Sequence, residues 1–209
     1  MADQATVFVV DDDAAVRDSV VLLLKSVGLD VEAYGDGQVF LDAVDTRRAG
    51  CVLLDVRMPG MSGMELQKKL NEMGCGLPII FVTGHGDVPM AVEAMRAGAE
   101  EFLQKPFRDD DLLDRVHTAL QRNQENRAAS AQHEAVHKRL AELTSREREV
   151  FEHLVDGQST KQIAAAFALS PRTVEIHRSR VLDKMGVRSV AELVKLTLTA
   201  SDRTSSRGE

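Results

Sequence analysis

The first 120 residues alternate between short apolar runs and stretches in which apolar residues recur at helical spacing. After the first run, Val16, Val20 and Leu24 share one helical face, and Gly28 ends the pattern. Strands that alternate with helices, with a strand first, indicate an α/β fold with a doubly wound parallel sheet. The ligand site of such a sheet lies at the carboxyl ends of its strands. The predicted strands are Thr6–Val10, Asp30–Tyr34, Cys51–Leu54, Pro78–Thr83 and Glu101–Leu103.

Helix-capping patterns mark where several of the intervening helices begin and end. Asp13 is a suitable N-cap for the helix that follows it directly. Ser62, with Glu65 three residues later, forms a capping box. Asp87 and Gly98 bracket a further helix. The caps therefore place helices between the predicted strands.

From about residue 110 the pattern changes, because Leu112, Val116 and Leu120 give a last apolar face and the chain then stays polar as far as Arg139. A coiled coil in this polar stretch is an open alternative, although its apolar positions thin out after Leu120. We predict a first domain over 5–122, a helical linker over 123–139, and a second domain over 140–202.

The second domain shows helix signals in quick succession and no strand pattern between them. Capping boxes begin at Thr144 and at Ser159. A tight turn then leads to Ser170, an N-cap, followed by Pro171 at the first position of a third helix. Two short helices and a turn before a third helix predict a small all-α helix-turn-helix domain.

The net charge of −7 is divided unevenly between the two halves of the 209-residue chain. Residues 1–120 carry 21 acidic and 11 basic side chains, and residues 121–209 carry 12 and 15, so the net charges are −10 and +3. An acidic half repels a phosphate backbone and a basic half attracts one. The asymmetry therefore indicates different partners for the two domains.

The sequence also bears on the cellular compartment. Cys51 and Cys75 are too few for a disulfide framework and lack metal-ligand spacing. No uncharged apolar stretch approaches the ~18 residues that a membrane span requires, and the acidic N-terminus is unlike a signal peptide. We therefore expect a cytoplasmic protein that does not engage a membrane.

Chemically versatile side chains follow four of the predicted strands. Asp11 and Asp12 come after the first strand, Asp55 after the third, Thr83 closes the fourth, and Lys105 follows the fifth. Clustered carboxylates favour a hard divalent cation, and Mg²⁺ suits carboxylates, a backbone carbonyl and waters. Carboxylates, a hydroxyl and an ammonium together suit phosphoryl transfer to a carboxylate, with Asp55 as the nucleophile. We therefore expect an aspartyl phosphate at Asp55.

Two other functions compete with this interpretation. A magnesium-dependent phosphohydrolase would also use an aspartate nucleophile, but such enzymes typically place an acid two residues later, where this chain has Arg57. A DNA-binding protein that does not switch would have no use for the full set of Asp12, Asp55, Thr83 and Lys105. We expect a protein that modifies itself and has no separate substrate.

The third helix of the second domain has two differently composed faces. Val174, Val181 and Met185 recur at helical spacing and should face the core, with His177 packed and hydrogen-bonded beside them. Between residues 157 and 190 six bases and two acids give a net charge of +4, which suits a helix that enters the major groove. The outward residues are Glu175, Ile176 and Ser179, flanked by Arg172, Arg178, Arg180 and Lys184.

The first half resembles the receiver domain of bacterial response regulators of the FixJ type, on the segments VDDD, LDVRMPGMSG, VTGHGD and KPF. The resemblance implies a five-stranded sheet in the order 2-1-3-4-5 and phosphorylation of Asp55. It also implies an acidic pocket of Asp11 and Asp12, and Mg²⁺ held by Asp12, Asp55 and the Arg57 carbonyl. Thr83 and Phe102 would form the switch pair, where Phe102 replaces the tyrosine of many receivers, and Lys105 would precede a cis Pro106.

Residues 138–200 resemble the LuxR-type helix-turn-helix, on TSREREV, TKQIA, SPRTVEIHRSRVLDKMGVRS and AELV. The resemblance implies that Pro171–Met185 is the recognition helix. Base contacts would come from Glu175, Ile176 and Ser179, and phosphate contacts from Lys161, Arg172, Thr173 and Arg178.

Together the two halves predict a two-component response regulator that acts as a transcription factor. A sensor histidine kinase would phosphorylate Asp55, the receiver would rearrange through Thr83 and Phe102, and a surface near its fourth and fifth helices would change. We expect phosphorylation to promote a homodimer that binds two-fold promoter DNA. By resemblance it would activate transcription through RNA polymerase.

Overall fold

The computed structural model describes residues 5–84 and 88–201, so Asp87, the predicted start of a helix, lies outside the described residues. Contacts within the chain divide it into two units, with the division after Arg127. None of the helices in the described ranges is long and apolar enough to cross a membrane.

The first unit contains a five-stranded parallel sheet with the strand order β2-β1-β3-β4-β5, as predicted. Each predicted strand is present, with bounds that differ by at most one residue from those read off the sequence. The strands are β1 Thr6–Val10, β2 Asp30–Tyr34, β3 Gly50–Leu54, β4 Ile79–Thr83 and β5 Glu101–Gln104.

The three central strands β1, β3 and β4 are buried along their whole length, because helices cover both faces of the sheet. Alternate residues enter two separate cores: Phe8 and Val10 pack on one face, and Val7 and Val9 on the other. The period of two explains why these strands read as continuous apolar runs. The covering helices are α1 Ala14–Ser26, α2 Gly37–Ala43, α3 Gly63–Glu72, α4 Val88–Arg96 and α5 Asp109–Ala141.

The caps predicted in the first unit are confirmed. The Asp13 carboxylate accepts from the first backbone N–H groups of α1. Ser62 and Glu65 form a complete capping box at the start of α3. Gly98, two residues after α4, has a left-handed backbone with φ of 90°.

Helix α5 has 33 residues, and its residues pack in both units of the chain. Leu112, Val116 and Ala119 pack in the first unit. Asn123, the first residue of the predicted linker, is buried there as well: its Oδ1 accepts from the backbone N–H of Gly50 at 3.1 Å, and its Nδ2 donates to the carbonyl of Gly76 at 2.9 Å. The helix therefore stays attached to the sheet beyond Leu120, the last residue of its first apolar face.

Two amide side chains of α3 donate to backbone carbonyls in α4 and directly after its end. Gln67 is fully buried, and its Nε2 donates to the carbonyl of Ala94 at 3.1 Å. Asn71, one turn later, donates to the carbonyl of Ala97 at 2.8 Å. Within the described residues, Oε1 of Gln67 has no hydrogen-bond partner. Polar contacts therefore hold these two helices together.

The second unit packs four further helices and the last part of α5 around one apolar core, which includes Val136, Val150, Leu154, Ile163 and Leu193. Both predicted capping boxes are formed, and Ser170 caps the helix that begins at Pro171, also as predicted. The helices are α6 Ser145–Val155, α7 Thr160–Ala166, α8 Pro171–Met185 and α9 Val190–Ser201.

Candidate acidic site and nucleic-acid interface

Backbone hydrogen bonds continue past the ends of the strands and bring the predicted acidic residues to one edge of the sheet. The N–H of Asp11 donates to the carbonyl of Tyr34, and the N–H of Asp55 donates to the carbonyl of Val10 at 2.8 Å. The N–H of Lys105 likewise donates to the Thr83 carbonyl at 2.8 Å. The carboxyl ends of four strands therefore present their side chains together.

Asp11, Asp12 and Asp55 form a cluster in which one carboxylate oxygen from each lies within 4.8 Å of the others. Asp11 is buried, Asp55 is half-buried and Asp12 is exposed. Three carboxylates at this separation repel one another unless a cation lies between them, and oxygen ligands of this kind suit Mg²⁺. The donor set therefore fits a divalent cation.

Asp11 is held by contacts that the sequence did not reveal. Its Oδ2 accepts from the Lys105 ammonium at 2.7 Å, and its Oδ1 accepts from the backbone N–H of Asp13 at 2.9 Å. Arg17 donates to the Asp11 carbonyl at 2.8 Å. Both carboxylate oxygens of Asp11 therefore already accept hydrogen bonds.

The environment of Asp55 alters its acidity. Burial raises the pKa of this carboxyl, the positive charge of Lys105 opposes the rise, and the negative charge of Asp11 adds to it. A hydrogen bond from the Thr83 hydroxyl also lowers the pKa. Thr83 thus has a partner in the unmodified protein, so its predicted bond to a phosphoryl group would replace an existing one.

The remaining predicted receiver residues lie close to this edge. Phe102 is half-buried on β5, and its ring lies 6.3 Å from that of Phe81, its partner in the strand register. Arg57 is exposed in the turn after β3. The peptide bond between Lys105 and Pro106 is cis, as expected. Thr83 and Phe102 therefore lie on adjacent strands, β4 and β5.

Gly63, at the start of α3, fixes the turn that follows Asp55. A Cβ atom at position 63 would lie 2.1 Å from the backbone oxygen of Asp55 and 3.1 Å from a ring carbon of Phe81. The N–H of Gly63 donates to the carbonyl of Val56 at 2.9 Å. The sequence signal for this close approach was a glycine at a helix start, where a better helix former would otherwise be expected.

In the second unit, α8 presents the predicted contact residues on its outer side. Ile176 is 49% exposed although it is apolar, so packing does not explain its presence there. His177 is partly buried as predicted, and its Nδ1 has no hydrogen-bond partner within the described residues. Lys161, Arg172, Glu175 and Ser179 are exposed, and Thr173 and Arg178 are partly buried.

Three of these residues, Thr173, Glu175 and Arg178, have partners within the unit. The Thr160 hydroxyl, on α7, donates to Oε1 of Glu175 at 2.6 Å, and Arg178 lies 3.7 Å from the same oxygen. The hydroxyls of Ser170 and Thr173 are 2.8 Å apart. These contacts order the outer side of α8.

Lys184, expected in the basic rim around α8, is partly buried and its ammonium is bound to other residues of the unit. Its ammonium donates to Oε2 of Glu147 at 2.7 Å and to the carbonyl of Glu142 at 2.9 Å. Glu147 is buried, and the hydrogen bond from Lys184 lowers its pKa to about 2, with a further contribution from the backbone N–H of Thr144. The sequence shows Glu147 only as half of a capping box, because its second partner is 37 residues away.

We expect Glu147→Gln to lower the free energy of unfolding of the second unit by about 2 kcal/mol at neutral pH, because a buried charged hydrogen bond is lost. Since the folded-state pKa lies below the usual value of 4.5, this contribution is complete above that pH and is lost as the pH falls towards 2.

Hydrogen exchange of α6 and α8, followed by mass spectrometry, measures this loss in the second unit alone. Protection should fall in Glu147→Gln at pH 7, and the difference from the native chain should narrow below about pH 4. Glu152→Gln, an exposed change on the same helix, is the control. Equal protection in both variants at pH 7 would contradict the prediction.

Both units match known families. Residues 7–117 match the model described as response regulator receiver domain, and residues 141–197 match bacterial regulatory proteins, luxR family. The chain belongs to the response regulators. Response regulators with this pair of domains are transcription regulators and not enzymes, and their receiver domains bind Mg²⁺ at an acidic pocket. The receiver implies a histidine kinase as partner, and the LuxR-type domain implies DNA binding.

Individual response regulators match over nearly the whole chain. The transcriptional regulatory protein FixJ of Bradyrhizobium diazoefficiens is 44% identical over 200 residues, which cover 96% of this chain and 98% of FixJ. A structure of the response regulator StyR has a TM-score of 0.85 and 44% identity, and covers 93% of this chain and 98% of StyR. The crystal structure of full-length FixJ from B. japonicum has a TM-score of 0.60 and 44% identity, with 95% and 98% coverage. The chain is a FixJ-like transcriptional regulator.

Proposed function

We propose that Asp55 is the phosphoacceptor of a sensor histidine kinase and that its modification controls DNA binding by the second unit. The observation that carries this proposal is the three-carboxylate cluster within 4.8 Å at the carboxyl edge of the sheet, beside Lys105 and Thr83. This set contains a nucleophile, a site for a cation, a fixed positive charge and a hydroxyl donor. Phosphoryl transfer uses all four.

In the reaction, a carboxylate oxygen of Asp55 attacks the phosphorus of a phosphohistidine. The phosphorus–nitrogen bond breaks with its electron pair passing to the nitrogen, and the imidazole, already protonated on its other ring nitrogen, leaves as a neutral group. Asp12, Asp55 and the Arg57 carbonyl would hold Mg²⁺, which supplies positive charge to the phosphoryl oxygens. Lys105 adds a second positive contact from the other side, and Asp11 orients Lys105 by their ion pair. Hydrolysis of the acyl phosphate returns Asp55 to its original state.

The switch follows from a change of partner at Thr83. Its hydroxyl leaves the Asp55 carboxylate and donates to the phosphoryl group, which draws the end of β4 towards the site. The half-buried Phe102 then takes up the space vacated beside Thr83. Because Phe102 has no hydroxyl, packing and not hydrogen bonding stabilises its new position.

The output is a homodimer that binds two-fold promoter DNA. Val88, Val92 and Met95 form an exposed apolar stripe at helical spacing on α4, which supports this helix as the dimer surface. Helix α8 would enter the major groove, with base and phosphate contacts as predicted from the sequence. The proposed segments are a receiver over 5–122, a linker over 123–139 and a DNA-binding domain over 140–202. Activation would proceed through contact with RNA polymerase.

The first test is the intact mass of the full chain after incubation with acetyl phosphate and Mg²⁺. The native chain should gain one phosphoryl group, whereas Asp55→Asn should gain none, because an amide cannot accept the group. Asp18→Asn, an exposed change on α1, is the matched control and should be labelled fully. Omission of Mg²⁺ should suppress labelling in every variant.

The same samples test the output. Light scattering should show a dimer only in labelled samples, and their affinity for promoter DNA should rise at least ten-fold. Labelling that persists in Asp55→Asn would mean that another carboxylate is the acceptor. Full labelling without a dimer and with unchanged DNA affinity would favour a DNA-binding protein that does not switch.

A further inference from the structure

We infer that Thr160 is a positioning residue for DNA recognition, and that it holds Glu175 so that the free carboxylate oxygen accepts a hydrogen bond from a cytosine. This inference rests on the proposed function, in which α8 enters the major groove. The inference gives a role in recognition to Thr160, a residue of α7 that would not itself contact a base. It also specifies the base that Thr160 and Glu175 together select.

The two carboxylate oxygens of Glu175 have different surroundings, since only Oε1 is bound within the described part of the protein. Oε1 accepts from the Thr160 hydroxyl at 2.6 Å, a distance typical of a strong hydroxyl–carboxylate bond. Arg178 lies 3.7 Å from the same Oε1. Over residues 5–84 and 88–201 the structure shows no hydrogen bond or ion pair of Oε2. The side chain is 55% exposed, so Oε2 is open to a ligand.

The open oxygen determines which base can be bound. A carboxylate is only an acceptor, and the major-groove edges of guanine and thymine present acceptors to it. Adenine combines its amino donor with the N7 acceptor beside it, whereas cytosine presents an amino donor alone. A carboxylate is also repelled by the DNA phosphates, so Glu175 lowers affinity for every sequence and restores it where cytosine lies opposite.

Thr160 is needed because Arg178 competes for the same carboxylate. Without a fixed partner, the flexible glutamate can turn along the helix to form a closer ion pair with Arg178, three residues later. The Thr160 hydroxyl, on the neighbouring helix, holds Oε1 of Glu175 in place in the DNA-free protein. An ordered side chain then loses less conformational entropy on binding. Thr160 therefore affects discrimination at one base pair more than overall affinity.

The test uses the full chain, treated with acetyl phosphate, and a library of randomised duplexes whose bound fraction is sequenced. The native chain should select cytosine at one position of each half-site by about ten-fold over other bases. Glu175→Gln should shift that position towards adenine, since an amide offers both a donor and an acceptor.

Thr160→Val keeps the branched shape and removes the hydroxyl. It should reduce the preference for cytosine to about two- to three-fold, leave the preferences at other positions intact, and leave the salt dependence of binding unchanged. Thr160→Ser retains the hydroxyl and should restore the native preference. A merely structural role for Thr160 would weaken all positions together.

The outcomes separate the inference from the proposed function. If the labelled native chain selects no sequence at all, the proposed function fails. If Glu175→Gln changes one position but Thr160→Val preserves the cytosine preference, the positioning role of Thr160 is overturned. A uniform loss of preference in Thr160→Val, or a base other than cytosine at the position that depends on Glu175, overturns the inference as well.

Discussion

Gly63→Ala should destabilise the receiver by about 3 kcal/mol or more, because a buried methyl group cannot be accommodated without moving backbone. The added Cβ would lie 2.1 Å from the carbonyl oxygen of Asp55, and neither atom belongs to a flexible side chain. Either α3 moves away from the Asp55 carbonyl, which breaks the hydrogen bond from the Gly63 N–H to the Val56 carbonyl, or the Asp55 carbonyl itself moves. In both cases the turn that follows Asp55 is distorted, and the rate of phosphorylation of Asp55 should fall steeply.

Urea unfolding measures this effect in the receiver alone, because Tyr34 on β2 is the only tyrosine of a chain that lacks tryptophan, so its fluorescence reports that unit. Gly76→Ala is the matched control, since a Cβ there would have nothing within 4 Å. The extent to which acetyl phosphate labels Asp55 in the same samples reports on the turn that follows it. If Gly63→Ala unfolds at the same urea concentration as Gly76→Ala, the close approach does not constrain the protein.

Lys105→Met should slow the phosphorylation of Asp55 by about 100-fold, the usual cost of removing one fixed group that stabilises a transition state. The ammonium is the positive charge closest to the carboxylates in the described structure, 2.7 Å from Asp11. Methionine retains most of the side-chain volume, so the loss is electrostatic. The buried Asp11 carboxylate is also left without its ion pair, which should lower the stability of the receiver.

Initial rates of labelling by acetyl phosphate at saturating Mg²⁺ measure this change. Lys68→Met removes an exposed lysine of α3 and should leave the rate unchanged. A native rate in Lys105→Met would show that Lys105 only secures Asp11 and does not contact the phosphoryl group.

The strands and the acidic edge were predictable because each follows from a local rule. A strand buried on both faces is apolar throughout, so β1, β3 and β4 stood out in the sequence. Parallel strands end at a common edge, so the strand pattern alone predicts that Asp55, Thr83 and Lys105 lie together. Helix caps were equally local, since each involves residues within one turn.

The contacts that escaped prediction join residues far apart in the chain. Lys184 looked like part of a basic rim, and its bond to Glu147 is invisible to periodicity because it joins different helices. Asn123 looked like polar linker, yet it is buried against Gly50 and Gly76. Polar residues that are buried by distant partners carry no signature in the local pattern of apolar and polar positions.

The amide contacts between α3 and α4 make the receiver resist small displacements. If α4 shifts slightly, the buried Gln67 loses its bond to the Ala94 carbonyl before water can replace it. If α4 changes position on activation, a partial shift that breaks this buried bond costs free energy, so we expect α4 to move between two positions and not by small steps. Gln67 and Asn71 lie away from the phosphorylation site. Their hydrogen bonds would then set how much free energy phosphorylation must supply before α4 moves.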